Sequence, residues 1–342
     1  MRFEIETVSA EIGNLVTNIK LSICVPTYNF GEFIGATLES IIEQAGDEVE
    51  IIVGDGASTD NTEKIVRDFQ SRFPRLTYKK FEAKGGIDID LSKTVHFAKG
   101  QYCWLLSSDD VLRPGAIRRI LYEIQFGHSI YLCNRTDCDQ HLNKISRRYW
   151  LPINITDTVF DFSDETVLLD YLKSAQSLGA LFSYMSSIIV LRKNWDEIRD
   201  NMRLIGSNYA HVYKLFSIAN NGGSVKYLQD SLISTRLFND SFMANGIAKR
   251  FLIDLNGYQI LADQLFINDN VREAFKSIMR KEHKWYYMPS LANKVRNEDE
   301  WDLLATKLRV FDYSPVMLFA AEKFGRSKLL MDFLRYLRRL FK

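Results

Sequence analysis

Leu21-Ser-Ile-Cys-Val-Pro-Thr-Tyr-Asn29 runs apolar for five residues and turns polar at Pro26. Ile23 and Val25 favour an extended backbone, and a proline has no N–H to continue an interior ladder. The stretch therefore reads as a buried strand that ends in a polar loop. Working outward, Gly31 to Gln44 sets Phe33, Ile34, Leu38, Ile41 and Ile42 at helical spacing, and Val49-Glu-Ile-Ile-Val53 is a second strand. A helix begins near Asp60 with Ile65, Val66 and Phe69 on one face. Leu76 to Phe81 reads as a third strand, and Asp88 to Ala98 as a helix with Asp88 at its N-cap. Tyr102-Cys-Trp-Leu-Leu106 is a fourth buried strand, and Pro114 falls in the first turn of a helix running to Phe126.

Strands joined by single helices predict the α/β class, a mostly parallel sheet covered on both faces. Ligands of such sheets bind at the carboxyl ends of the strands. Beyond Ile130 the pattern loosens. Strand-like runs are read at 129–134, at 186–191 and near Val225 and Leu232, with helices at 164–174 and 209–220. From about Gly246 onward the text is helical.

Composition narrows the function classes. Of 342 residues 46% are hydrophobic and 25% charged, which excludes wholesale disorder. Forty-four basic against 43 acidic residues leave a formal +1, without the basic excess of a nucleic-acid binder. That near-zero total conceals a split, because Leu308 to Lys342 carries eight basic and three acidic residues. Cys24, Cys103, Cys133 and Cys138 are too few and scattered for a disulfide framework, and they lack the four-ligand grouping of a structural zinc site. They point to a reducing compartment. Glu4, Glu6 and Glu11 interrupt any signal-peptide core, and no apolar run reaches membrane-spanning length. Nothing in the sequence specifies an oligomeric state.

Four strand ends carry polar residues: Pro26-Thr-Tyr-Asn29, Gly54-Asp-Gly-Ala-Ser-Thr-Asp60, Lys84-Gly-Gly-Ile-Asp-Ile-Asp90 and Ser107-Ser-Asp-Asp110. Each alone makes a turn or a cap, the role expected of Ser58 and Asp60. Together they would converge on one sheet edge, where clustered carboxylates need a compensating cation or hydrogen-bond donors. Asp109 and Asp110, directly after a buried strand, suit a hard divalent ion that takes a few protein oxygens and completes its shell with phosphate and water.

Ser22-Ile-Cys-Val-Pro-Thr-Tyr-Asn29, Val53-Gly-Asp-Gly-Ala-Ser-Thr-Asp-Asn-Thr62 and Ala98 through Leu-Leu-Ser-Ser-Asp-Asp110 together resemble the family 2 glycosyltransferases of the GT-A fold. The Gly-Ile-Asp-Ile-Asp run resembles in particular the abequosyltransferase-like branch of O-antigen synthesis. The resemblance is strong over 20–126, thin to about 240 and absent in the helical tail. It implies an N-terminal extension over 1–19, a GT-A domain over 20–242 and a helical region over 243–342. It further implies that Pro26 and Tyr28 line the nucleotide base, Asp55 hydrogen-bonds it, and Asp88 lies near base or ribose. Asp109 would face the ribose and donor sugar, and Asp110 would ligate Mn²⁺ or Mg²⁺, with Ser108 standing where the metal motif more often has an aspartate. The implied chemistry is inverting transfer from a nucleotide-sugar donor to a saccharide acceptor, or one linked to undecaprenyl diphosphate, in the cytoplasm.

The family's Glu-Asp pair opening a later helix is missing. Gly206-Ser-Asn-Tyr-Ala-His-Val-Tyr-Lys-Leu-Phe216 offers only His211 as a group that accepts a proton near pH 7, unless His211 is merely a packed helix residue. His96 reads as belonging to a packed helix face. Ser234-Thr-Arg-Leu-Phe-Asn-Asp-Ser241 resembles the family's loop over the donor phosphates, which makes Arg236 a phosphate ligand or else a surface ion-pair residue. Residues 326–342 form a basic amphipathic helix, suited to an anionic membrane surface or to packing on a protein partner. Two other functions stay open: a non-catalytic nucleotide-sugar-binding module, and a sugar nucleotidyltransferase, whose basic glycine-rich first loop is lacking.

Overall fold

The computed structural model describes residues 19–237 and 246–327. A ten-stranded sheet organises the chain: β1 (Leu21–Thr27), β2 (Val49–Asp55), β3 (Leu76–Lys80), β4 (Tyr102–Leu105), β5 (Val111–Leu112), β6 (Ile130–Cys138), β7 (Lys144–Arg148), β8 (Thr158–Asp161), β9 (Ile188–Leu191) and β10 (Ser224–Arg236). Its main path runs β3-β2-β1-β4-β9-β6-β10-β5, with β7 on β6 and β8 on β10. The β3-β2-β1-β4 half is parallel, so these four strands end at one edge. β9 runs antiparallel to β4 and β6, which makes the whole sheet mixed.

Helices α1 (Ile34–Ile42), α2 (Thr62–Arg72), α3 (Ile87–His96) and α4 (Ala116–Glu123) follow the first strands as expected. Side chains alternate across a strand. Leu21, Ile23 and Val25 of β1 accordingly join the apolar cluster beneath α1, α2 and α4, while Cys24 joins the cluster on the opposite face. That second cluster contains Leu91 and Val95 of α3, then α5 (Glu165–Ser174), α6 (Arg192–Glu197) and α7 (Ala210–Asn220). It continues without a break into α8 (Ile247–Leu265), α9 (Asp269–Glu282), α10 (Met288–Lys294), α11 (Glu298–Arg309) and α12 (Pro315–Arg326). Phe275, Trp301 and Leu304 of the late helices belong to the same apolar body as the sheet. Gly54 lets α3 lie close against β2: a Cβ there would lie 1.9 Å from Thr94 Oγ1 of α3.

Three local readings need correction. Asp88 does not cap its own helix, since α3 starts at Ile87 behind Gly86. Pro114 lies before α4, whose N-cap is Gly115 in the left-handed region at φ 82°. The strands expected near Val225 and Leu232 are one strand, β10, whose register against β6 shifts between Leu228 and Ile233. All four cysteines are free and buried. No helix among the described residues is long and apolar enough to cross a membrane.

Candidate functional site

Hydrogen bonds tie the strand-end loops to one another. Asn29 donates its backbone N–H to Ser58 Oγ at 2.9 Å and accepts from Thr59 N at 2.8 Å. The backbone N–H of Gly31 donates to Asp60 Oδ2 at 2.9 Å, and Thr37 Oγ1 donates to the Ser108 carbonyl at 2.9 Å. The expected convergence is thus observed, and it encloses a cavity of about 620 Å³. Pro26, Tyr28, Lys84 and Asp90 line it together with Ser107, Ser108 and His211. Lys84 Nζ sits 3.9 Å from the centre of the Tyr28 ring, near enough for a cation–π contact.

Asp55 ends β2 with no exposed surface. Its Oδ1 accepts from Ser58 N at 2.8 Å and its Oδ2 from the Tyr78 hydroxyl at 2.5 Å. The first contact helps hold Ala57 at φ 65°, a left-handed conformation that costs a non-glycine residue roughly 1–2 kcal/mol. Asp88 is not on the cavity wall. Its Oδ2 accepts from Gly206 N at 2.8 Å and Asn208 N at 2.9 Å, and its Oδ1 from Ala210 N at 3.0 Å. It therefore caps α7, 122 residues away. Asp90, one helical position pair further on, lines the cavity instead. It accepts from Gly85 N at 3.1 Å, and its carboxyl is pushed upward chiefly by burial. Alternation of apolar Ile87 and Ile89 with Asp88 and Asp90 could not tell which carboxylate faces which element.

Asp110 is 2% exposed. Burial, reinforced by the neighbouring Asp109 charge, pushes its carboxyl up to about 7, against the pull of Ser186, Tyr184 and Arg135. Tyr184 and Ser186 both donate to Oδ2 at 2.5 Å, and no hydrogen bond from a described residue reaches Oδ1. Asp109 accepts from Ser107 Oγ at 2.5 Å. A divalent cation fits this pair: oxygen donors only, one carboxylate edge open, and an adverse like-charge contact that a cation would relieve. Among the described residues no group of three or more His, Cys, Asp or Glu could chelate a metal without phosphate and water. Arg236, buried at the end of β10, donates to the Asp109 carbonyl and to Gln140 O at 3.3 Å, and stacks on Phe33. It therefore braces the acidic turn. Residues 238–245 of its loop, and 328–342 of the basic tail, lie outside the described residues.

His211 is 5% exposed in the first turn of α7 and reaches the cavity. Its Nε2 lies 3.1 Å from Phe182 O, and only a protonated nitrogen pairs with a carbonyl, so the neutral ring keeps Nδ1 as its acceptor. Burial lowers its pKa, opposed by the Asp88 charge, so the ring is neutral at pH 7. His96, in contrast, is exposed on α3. The helical region reaches the site through Arg250, which lines the cavity and pairs with buried Asp254. Tyr209, next to the start of α7, also donates to Asp254. Sequence reasoning missed this contribution because α8 carries no motif. The Arg250–Asp254 spacing of four is a signal only once the helix face is known.

Residues 22–193 match glycosyl transferase family 2. The chain is 33% identical over 288 residues to abequosyltransferase RfbV of Salmonella typhimurium, covering 82% of this chain and 86% of that one. Among solved structures it is similar to S. aureus TarS 1-349 in complex with UDP-GlcNAc, with a TM-score of 0.59, 15% identity and 90% of each chain covered. It is similar also to the mannosyltransferase PcManGT from Pyrobaculum calidifontis in complex with GDP-Man and Mn²⁺, with a TM-score of 0.54, 16% identity, and 90% and 88% covered.

Proposed function

The chain belongs to glycosyl transferase family 2 and is a glycosyltransferase, and from that premise we propose that it moves one sugar from a nucleotide donor to a saccharide acceptor with inversion, in surface-polysaccharide synthesis of the O-antigen type. One observation carries this reading. The cavity has a neutral histidine in its wall, and the acidic pair Asp109–Asp110 directly follows its lining residues Ser107 and Ser108; an in-line displacement needs a cation-supported leaving group and a proton acceptor.

Pro26 and Tyr28 hold the nucleotide at the end of β1, and buried Asp55 at the end of β2 fixes the Ala57–Ser58 turn beside them. The acceptor hydroxyl attacks the anomeric carbon as the bond to the diphosphate oxygen breaks. The electron pair leaves with the nucleoside diphosphate, and the proton passes to Nδ1 of His211. Asp109 and Asp110 are the residues that would hold Mn²⁺ or Mg²⁺, which when bound neutralises charge on the departing diphosphate. Arg236 keeps the acidic turn in place from behind. The acceptor is carried on a lipid diphosphate at the inner face of the cytoplasmic membrane, and the basic tail meets that surface.

The test is transfer from UDP-, GDP-, CDP- and dTDP-sugars with Mn²⁺ to a lipid-diphosphate saccharide, with the product's anomeric configuration read by NMR. A product of retained configuration overturns the single displacement. Absence of transfer from every donor overturns the function.

A further inference from the structure

A second cavity, of about 450 Å³, shares no lining residue with the first. Its wall brings together Arg113, Arg118, Arg119 and Arg147 against one carboxylate, Asp230. Arg119 is already neutralised: it pairs with Glu123 at 2.7 Å, with Asp230 at 3.0 Å and with Asp157. Arg113 donates to Thr136 Oγ1 at 3.0 Å, but neither it nor Arg118 nor Arg147 meets a carboxylate within ion-pair reach among the described residues. Three guanidinium groups converging on one concavity without counter-charge repel one another, and an anionic ligand removes that cost. The guanidinium fork matches phosphate oxygens bidentately.

The surroundings add to the same field. The N-terminus of α4 opens at this cavity through Pro114 and Gly115, with no side-chain cap and no acidic residue in its first turn. Tyr149 and exposed Ile153 supply an apolar wall, which suits a phosphate carried on carbon more than a free one. Position ties the cavity to the reaction. Arg113 follows β5, so the extended strand sets its backbone about 10 Å beyond Asp110, within reach of a short saccharide.

We infer that this arginine-lined cavity binds the phosphate or diphosphate group of the acceptor, an assignment that rests on the transferase reading above. The acceptor then enters by the β5–β10 edge, and its anionic group docks here while its terminal saccharide reaches the acidic turn.

Calorimetry on the full chain in EDTA, which removes metal-dependent binding at Asp109 and Asp110, tests the site with orthophosphate, inorganic pyrophosphate and farnesyl diphosphate. Farnesyl diphosphate is expected to bind more tightly than pyrophosphate. Both should weaken at least tenfold in R118A/R147A and change less than threefold in D110N. Arg118 and Arg147 are exposed, so an unchanged melting curve verifies the fold, and R118K/R147K should recover part of the loss. Undiminished binding in R118A/R147A, or loss in D110N instead, overturns the site. Equal affinity for farnesyl diphosphate and orthophosphate overturns its assignment to the acceptor. Diphosphate binding that depends on the arginines, in a protein that transfers no nucleotide sugar, refutes the transferase function while upholding the anion site.

Discussion

Asp88 Oδ1 accepts the backbone N–H of Ala210 at 3.0 Å, so a side chain of α3 supplies the N-terminal cap of α7. The same carboxylate takes the N–H groups of Gly206 and Asn208, and the αL residues Gly206 (φ 87°) and Asn208 (φ 69°) turn the chain around it. His211 is the next residue after Ala210. The position of the proposed base is thereby set by a carboxylate from the first half of the chain, which also lies close enough to oppose the lowering of its pKa.

Replacing Asp88 by Ala leaves three backbone donors without their acceptor. A loss of about 2–3 kcal/mol of stability is expected in urea unfolding, since a buried donor left unpaired costs roughly 1–3 kcal/mol and water recovers part of it. Transfer activity should fall beyond that loss in the population that remains folded. If Asp88→Ala unfolds at the wild-type midpoint, the cap does not hold α7.

His211→Gln retains an N–H for Phe182 O and removes the proton acceptor. Turnover should drop by about 10²–10⁴, the usual weight of general base catalysis, with donor affinity within a few-fold of wild type. Undiminished turnover in this variant would assign the base elsewhere.

Burial lowers the folded-state pKa of both His211 and His128, a half-buried residue just before β6 whose Nδ1 lies 3.0 Å from Ser224 Oγ, below the ordinary value near 6.5. Below that value these two histidines bind more protons in the unfolded chain than in the folded one, so their contribution to stability falls as the pH drops, while the raised Asp110 carboxyl works in the opposite sense. Their contribution is fully present above about pH 7 and declines below pH 6.5. Urea midpoints at pH 7.5 and 5.5 read the difference, and the decline should be shallower in His211→Gln. A change between pH 7.5 and 5.5 that is identical in wild type and His211→Gln contradicts the burial of a neutral His211.

Asp110→Asn keeps an oxygen for the Tyr184 and Ser186 hydroxyls but removes the charge. Mn²⁺-dependent donor binding and turnover should fall at least hundredfold, because Lewis-acid support is worth several kcal/mol. The melting temperature should stay level or rise, since a carboxyl pushed up to about 7 by burial is costly to ionise at neutral pH. Retained Mn²⁺-dependent turnover would remove Asp110 from the metal site.

Deleting residues 328–342 should abolish co-sedimentation with vesicles containing anionic phospholipid while leaving transfer to a water-soluble acceptor intact. Arg326 is kept in this deletion because it pairs with Glu298 and Glu322 as part of α12. Unchanged co-sedimentation assigns the tail to protein packing.

The alternation of apolar strands with helices, and the polar residues at four strand ends, were legible in one dimension because burial and turn formation act over a few residues. Periodicity placed β1 to β4 and α1 to α3 within a few positions, and the cleft follows from their parallel order. What a side chain meets across the fold was not legible. Asp88 and Asp90 have the same chemistry two residues apart, yet one caps a distant helix and the other faces the cavity. Asp110 was identifiable as a carboxylate after a strand, but its protonation depends on Tyr184, Ser186 and Arg135, which only β6 and β9 bring to it. Arg113, Arg118 and Arg147 are scattered in sequence and form a single basic wall only where β5, α4 and β7 meet. By itself the sequence determined the class of fold and the sheet edge at which the polar loops gather. Tertiary structure decided which charges are paired, since electrostatic partners are chosen by distance in space and by burial, neither of which a linear pattern encodes.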